Sequence, residues 1–163
     1  MSSFDRRLFL LTGLAALAGC GFAPAYGPGG RATALRGRIE VQEPDTRAGY
    51  LLTRDLESRL GRSSMARYAL VPDIVLDSEA IAIDRRNVAG RFNILGSVRY
   101  TLTDRQTGET VSTGKVDNFT AYSARGTPVA TRAARRDAEA RLMTILADQL
   151  VTRLIVTMPD RPQ

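Results

Sequence analysis

Histidine and tryptophan are missing from this 163-residue chain, cysteine and lysine occur once each, and the only long apolar run is about ten residues. Each shortage closes a class of function. Without histidine there is no Ser-His-Asp or Cys-His machinery, and the commonest zinc ligand is gone. A single cysteine allows no intramolecular disulfide, so burial alone must hold the domain together. Gly27-Pro28-Gly29-Gly30 is a flexible spacer, because no strand pattern precedes it and no helix pattern follows as a phosphate-binding loop requires. The acidic residues fall at helix spacings or alternate with apolar ones, as solvated faces do, and form no convergent pair for carboxylate chemistry. The sequence therefore predicts a protein that is not an enzyme and holds neither cofactor nor metal.

What is present begins at the N-terminus. Asp5-Arg6-Arg7 leads an apolar stretch from Leu8 to Leu17, the length of a signal-peptide core and too short for a spanning helix of roughly 20 residues. Leu17-Ala18-Gly19-Cys20 at its end resembles the lipobox of bacterial lipoproteins, in which the cysteine becomes the first mature residue and its sulfur is acylated. Residues 1–19 are expected to be a lipoprotein signal peptide, and Cys20 the lipid attachment site, a palmitate-bearing anchor. Several acyl chains on one cysteine give stable tethering, at about 0.8 kcal/mol per buried methylene. Arg6-Arg7-Leu8-Phe9-Leu10 also resembles a twin-arginine export signal, with Asp5 where that signal usually has Ser or Thr. Gly21, in place of the Asp of inner-membrane-retained lipoproteins, favours the outer membrane by the same kind of resemblance.

The formal charge of +6 falls to +5 when Arg6, Arg7 and Asp5 leave with the leader. Almost all of the positive charge is arginine, with Lys115 the one lysine. Coding bias toward arginine accounts for this most simply, whereas bidentate binding of phosphate or carboxylate is the functional alternative. An exported basic domain has little access to nucleic acid, which leaves anionic lipid, anionic glycan or an acidic protein as partners.

Periodicity supplies the architecture. Residues 20–34, rich in Gly, Pro and Ala, read as the acylated Cys and a flexible tether. Leu35 to Gln42 alternates as a half-buried strand. Ala48, Leu52, Leu56 and Leu60 then recur every fourth residue, stopped by Gly61, with Asp55 and Arg59 expected as a solvated i, i+4 pair. Tyr68 to Ile83 is a strand region with a break, edge or bulge expected at Pro72-Asp73. Phe92, Ile94, Val98, Tyr100 and Leu102 define one face of the next strand, with Arg91, Asn93, Ser97, Arg99, Thr101 and Thr103 on the other. Glu109 to Tyr122 returns as a fourth strand with a bulge expected near Asp117-Asn118, where Phe119 breaks the apolar phase. Thr127 caps a last helix of about 28 residues that starts at Pro128 and ends before Pro159. The order β-α-β-β-β-α gives an α+β two-layer sandwich, two helices on a four-stranded mixed sheet, over residues 35–158, followed by a tail at 159–163.

Cys20-Gly21-Phe22 with Pro24 and Tyr26-Gly27, Tyr100-Thr101-Leu102-Thr103-Asp104 with Gly108, Tyr122, and Asp137-Ala138-Glu139-Ala140-Arg141 through Leu146-Ala147-Asp148 and Arg153-Leu154 together resemble the lipopolysaccharide-assembly lipoprotein family LptE in a shorter, arginine-rich form. The resemblance implies an outer-membrane lipoprotein that binds and plugs the barrel protein LptD, assists its assembly and helps deliver lipopolysaccharide to the outer leaflet. It places the domain on the periplasmic side and within the barrel lumen. An auxiliary lipoprotein of a lipid-transport ABC system is the alternative, although Phe22-Ala23-Pro24-Ala25-Tyr26 lacks its usual Tyr-Tyr-rich strand. A carboxylate-pair envelope hydrolase is a more distant one. Arg85, Arg86 and Arg91 flank the turn Asn87-Val88-Ala89-Gly90 and are the candidate lipopolysaccharide-binding residues, since a loop tip can offer guanidinium groups to lipid A phosphates without burying them. Arg132, Arg135 and Arg136 make the start of the last helix the other basic cluster.

Overall fold

The computed structural model describes residues 27, 30–63, 65–83 and 89–158. Seven elements follow in order: α1 (Arg31–Leu35), β1 (Ile39–Val41), α2 (Arg47–Leu60), β2 (Tyr68–Ile83), β3 (Ala89–Asp104), β4 (Thr110–Ser123) and α3 (Pro128–Thr157). The strands form one sheet in the order β1-β2-β3-β4, with β1 parallel to β2 and the other pairs antiparallel. This is the expected mixed sheet with both long helices on one face. One element is added. The last residues of the expected tether, from Arg31, form the short helix α1, whose Ala32 and Leu35 are buried. The strand expected over Leu35 to Gln42 is thereby reduced to Ile39–Val41.

Local chemistry sets the helix ends. The Thr46 hydroxyl accepts from Gly49 N–H at 3.0 Å to open α2, and Gly61 leaves it at φ 77°, a conformation that favours glycine. Thr127 caps α3 by accepting from Ala130 N–H, with Pro128 in the first turn. Leu52, Leu56, Leu142, Leu146, Leu150 and Leu154 are wholly buried against Leu70, Val98 and Leu102 of the sheet. Gly96 belongs to the same core face. A Cβ there would come within 2.9 Å of Leu142 Cδ2 and Leu146 Cδ1, so its absence lets α3 cross the sheet closely.

At Pro72 the expected edge is found and the expected break is not, and two further local expectations are corrected. β2 runs unbroken through Pro72, because the missing donor faces an edge. Tyr68 N–H donates to Arg38 C=O and Leu70 C=O accepts from Gln42 N–H, so the even residues of β2 aim their backbone groups toward β1, which has ended by Pro72. The pairing of β3 with β4 is regular through Asp117 and Asn118, and its irregularity lies between Leu102 and Thr103 instead. Phe119 keeps the strand's phase and simply stands exposed on the outer face. Asp55 is buried, not solvated: its carboxylate accepts from Arg54 Nε at 2.8 Å and from the Thr144 hydroxyl of α3 at 2.6 Å. Arg59 pairs with Asp148 of α3 and donates to the Asp55 backbone carbonyl at 2.8 Å, so the two side-chain charges join the helices and form no ion pair with each other.

Candidate functional site

Strand and helix lengths create the site. β2 and β3 each have 16 residues, about 50 Å at 3.3 Å per residue, whereas the 14 residues of α2 reach only about 21 Å. α2 therefore covers the start of β2 and leaves the far half bare. Residues 75–81 are exposed on both faces, Leu76 on the helix side included. α3 has the opposite overhang. Its burial begins at Ala138, whose carbonyl accepts from the Thr120 hydroxyl, so its first ten residues are largely exposed. The end of β2, the start of β3, the end of β4 and the start of α3 thus form a distal end that the core does not cover. A stacked pair, Phe92 and Tyr122 with ring centroids 5.5 Å apart, holds β3 to β4 there.

Arginines collect at this end. Arg91 is exposed at the start of β3, paired in register with Ser123. Arg125 lies across Gly90, where an added Cβ would meet its Nε at 3.0 Å, and Ala124 N–H donates to Gly90 C=O. Arg132 and Arg136 are exposed on the overhanging turns of α3. None of these four forms an ion pair among the described residues. Arg135 is engaged by Glu139 at 3.1 Å, and Asp137 pairs with Arg141, as their spacing predicts. Arg85 and Arg86 lie in the connection between β2 and β3, outside the described residues, as do Cys20 and the leader.

Arg125 was not legible as a site residue. It is far in sequence from the connection between β2 and β3, and only the β3–β4 register brings it to Gly90. A usable signal existed in the Ser-Ala-Arg-Gly stretch, where an arginine follows a strand directly and faces no nearby carboxylate.

The proximal end contrasts in chemistry. The buried Asp104 carboxylate accepts from Gln106 N–H at 2.8 Å and from Arg67 Nε at 2.9 Å. These contacts, the backbone N–H first, hold its carboxyl below the usual carboxylate range and raise the Arg67 guanidinium. Arg105 pairs with Glu40, and Arg62 with Glu57 at 2.7 Å. Among the described residues no cluster of acidic or sulfur ligands could hold a metal, and no helix is long and apolar enough to cross a membrane.

A third surface is the sheet face away from the helices. Val75, Leu95 and Phe119 stand exposed there and floor a shallow groove of about 600 Å³ rimmed by Asp77, Lys115 and Asp117.

Residues 37–154 match the family model described as LptE, lipopolysaccharide-assembly. No curated protein sequence matches the chain. Among solved structures, a Caulobacter crescentus CB15 protein classed as a lipoprotein is 29% identical with a TM-score of 0.65, over 77% of this chain and 93% of that one. The rare lipoprotein B of Shewanella oneidensis (11% identity, TM-score 0.57, 73% of this chain and 92% of that one) and a minor lipoprotein of Acinetobacter baumannii (13%, 0.55, 77% and 94%) share the fold.

Proposed function

This chain belongs to the LptE lipopolysaccharide-assembly family, and we propose that it works as an outer-membrane lipoprotein, held by acyl groups on Cys20, that binds the LptD barrel and presents its distal end to lipopolysaccharide. It acts by binding, without turnover. The observation that carries this reading is the uncovered distal end, where Arg91 and Arg125 form no ion pair among the described residues; Arg85 and Arg86 join it by their place in the sequence between β2 and β3. Guanidinium forks suit phosphate oxygens, and exposed groups give up little hydration before they bind. The lipoprotein descriptions of the similar structures support the anchor. The exposed Val75, Leu95 and Phe119 of the outer sheet face are the surface assigned to the barrel wall.

The test is lipopolysaccharide binding by the full mature chain at two salt concentrations. Replacing Arg85, Arg86, Arg91 and Arg125 by Ala should weaken binding much more than replacing Arg36, Arg38, Arg47 and Arg153, which form no ion pair among the described residues and stand elsewhere. Charges a few tens of Å away are screened over a Debye length of about 8 Å at physiological salt. Equal losses would mean that net charge carries the binding. For the barrel, depletion should lower the amount of correctly assembled LptD and admit large hydrophobic antibiotics, and unchanged levels of both would remove the partner.

A further inference from the structure

The open edge of β2 has its own chemistry. Beyond Leu70 no strand among the described residues pairs with it on the β1 side, so Ile74, Leu76, Ser78 and Ala80 direct N–H and C=O groups outward. One of these donors is already caught locally, Ser78 N–H donating to Asp77 Oδ1 at 2.7 Å. On the opposite edge of the sheet, Phe119 N–H is held the same way by Asn118 Oδ1. The two edges differ in charge. β4 carries Lys115, a common guard of free edges, whereas the outer-face row of β2 reads Asp73, Val75, Asp77, Glu79 and holds no cation. None of these three carboxylates forms an ion pair among the described residues.

Where β1 leaves β2, a cleft of about 350 Å³ opens, lined by Glu43, Asp45, Thr53, Pro72 and Asp73 among others. Thr53 is 8% exposed, and its hydroxyl has no hydrogen-bond partner among the described residues. Buried hydroxyls are normally paired. The cleft therefore joins three carboxylates to an unused polar atom in a chain that is basic overall.

We propose that the free edge of β2 from Ile74 to Ala80 accepts an added strand from a protein partner, an extended segment with Lys or Arg at alternate positions and apolar residues between them. The cations lie beside Asp73, Asp77 and Glu79 on the outer face. The apolar residues cover Ile74 and Leu76 on the helix side, where α2 is too short to do so. One further cation, just ahead of the paired stretch where the segment passes the end of β1, turns to the helix side and enters the cleft toward Glu43, Asp45 and the Thr53 hydroxyl. Pro72, which has no N–H to give, sets the start of the pairing at Ile74. A second copy of this chain is a poor occupant, because antiparallel self-pairing sets this acidic row against itself, and like charges directly opposite destabilise a ladder. The inference is independent of lipopolysaccharide binding and of the identity of the barrel.

The experiment follows amide hydrogen exchange in the full mature chain with a synthetic ten-residue peptide alternating Arg and Val. Slowed exchange at Ile74, Leu76 and Ala80 is expected, with no slowing from the matching Glu-Val peptide. Two Arg-Val peptides N-methylated at alternate amides separate backbone pairing from charge, and one of the two should fail to bind. The variant D73N/D77N/E79Q, folded by circular dichroism, should bind the unmethylated peptide about tenfold more weakly, the effect of three cross-strand ion pairs. Equal protection by the Glu-Val peptide, unimpaired binding of both methylated peptides, or protection confined to the Phe119 edge overturns the proposal. So does protection of Ile74 and Leu76 that grows with protein concentration in the absence of peptide, which assigns the edge to a second copy.

Discussion

The two ends of the sandwich are built from the same strands but differ in what covers them. At the proximal end both long helices lie over the sheet, and Asp104, Glu40 and Glu57 pair with Arg67, Arg105 and Arg62. At the distal end the sheet runs past α2, α3 starts outside the core, and Arg91, Arg125, Arg132 and Arg136 have no carboxylate partner among the described residues. Stability is therefore concentrated at one end and unspent binding capacity at the other. In such a division the binding end tolerates substitution thermodynamically, and the covered end does not.

The sharpest way to break this contrast is a pair of leucines at comparable strand positions. Leu102→Ala empties a wholly buried site and should destabilise by about 2–5 kcal/mol, while Leu76→Ala, at a residue 37% exposed, should cost less than about 1 kcal/mol. Urea unfolding midpoints measure both. Similar losses would show that the distal hairpin is as firmly held as the core.

Adding one methyl group tests the proximal packing from the other direction. A Cβ on Gly114 would lie 2.7 Å from the Tyr100 hydroxyl and 2.9 Å from its ring, so Gly114→Ala should destabilise by about 1–3 kcal/mol. The Tyr100 hydroxyl is buried with no partner among the described residues, so it has no hydrogen bond there to give up if the ring shifts. A neutral result would mean that the ring moves freely.

A smaller effect comes from acid. The folded-state pKa of Asp104 lies below its unfolded value of about 3.9, so its contribution is complete above that value and is lost as pH falls through the folded pKa. Asp104→Asn should flatten the acid-induced loss of stability below about pH 4 and leave its behaviour near neutrality with a constant offset. An unchanged acid profile would remove Asp104 from the proximal account.

The smallest change is expected at the distal arginines. Arg91→Ala with Arg125→Ala should alter stability by no more than about 0.5 kcal/mol, and a loss several times larger would mean that these side chains are structural.

Features set by residues close in sequence were legible before the fold was known. The Thr46 and Thr127 caps, the Leu52-Leu56-Leu60 stripe and the even-numbered core face of β3 depend on spacing alone, and all appear as the spacing predicts. Features set by distant partners were not. Asp55 looks like any helix-surface carboxylate until Thr144, 89 residues away, is placed against it. Phe119 suggested a bulge because an aromatic residue in a strand usually marks the core, and nothing local reveals that the outer face carries an apolar patch. Arg91 was recognisable from its turn, but its neighbour Arg125 required the strand register. Arg85, Arg86 and Cys20 lie outside the described residues.

The uninterrupted length of β2 and β3 makes the hairpin a ruler. The chain enters at the proximal end through α1, so the far end of the two strands stands off from that entry by roughly the 50 Å that 16 residues span, paired throughout but for a register shift near Ala82. Because side chains alternate, the ruler can be recut only in steps of two: removing two residues from each strand shortens it by about 7 Å and keeps every face, whereas removing one turns the core face outward. Reach and inside-out identity are thus encoded in the same pair of strands, and natural variation in hairpin length should come in even increments.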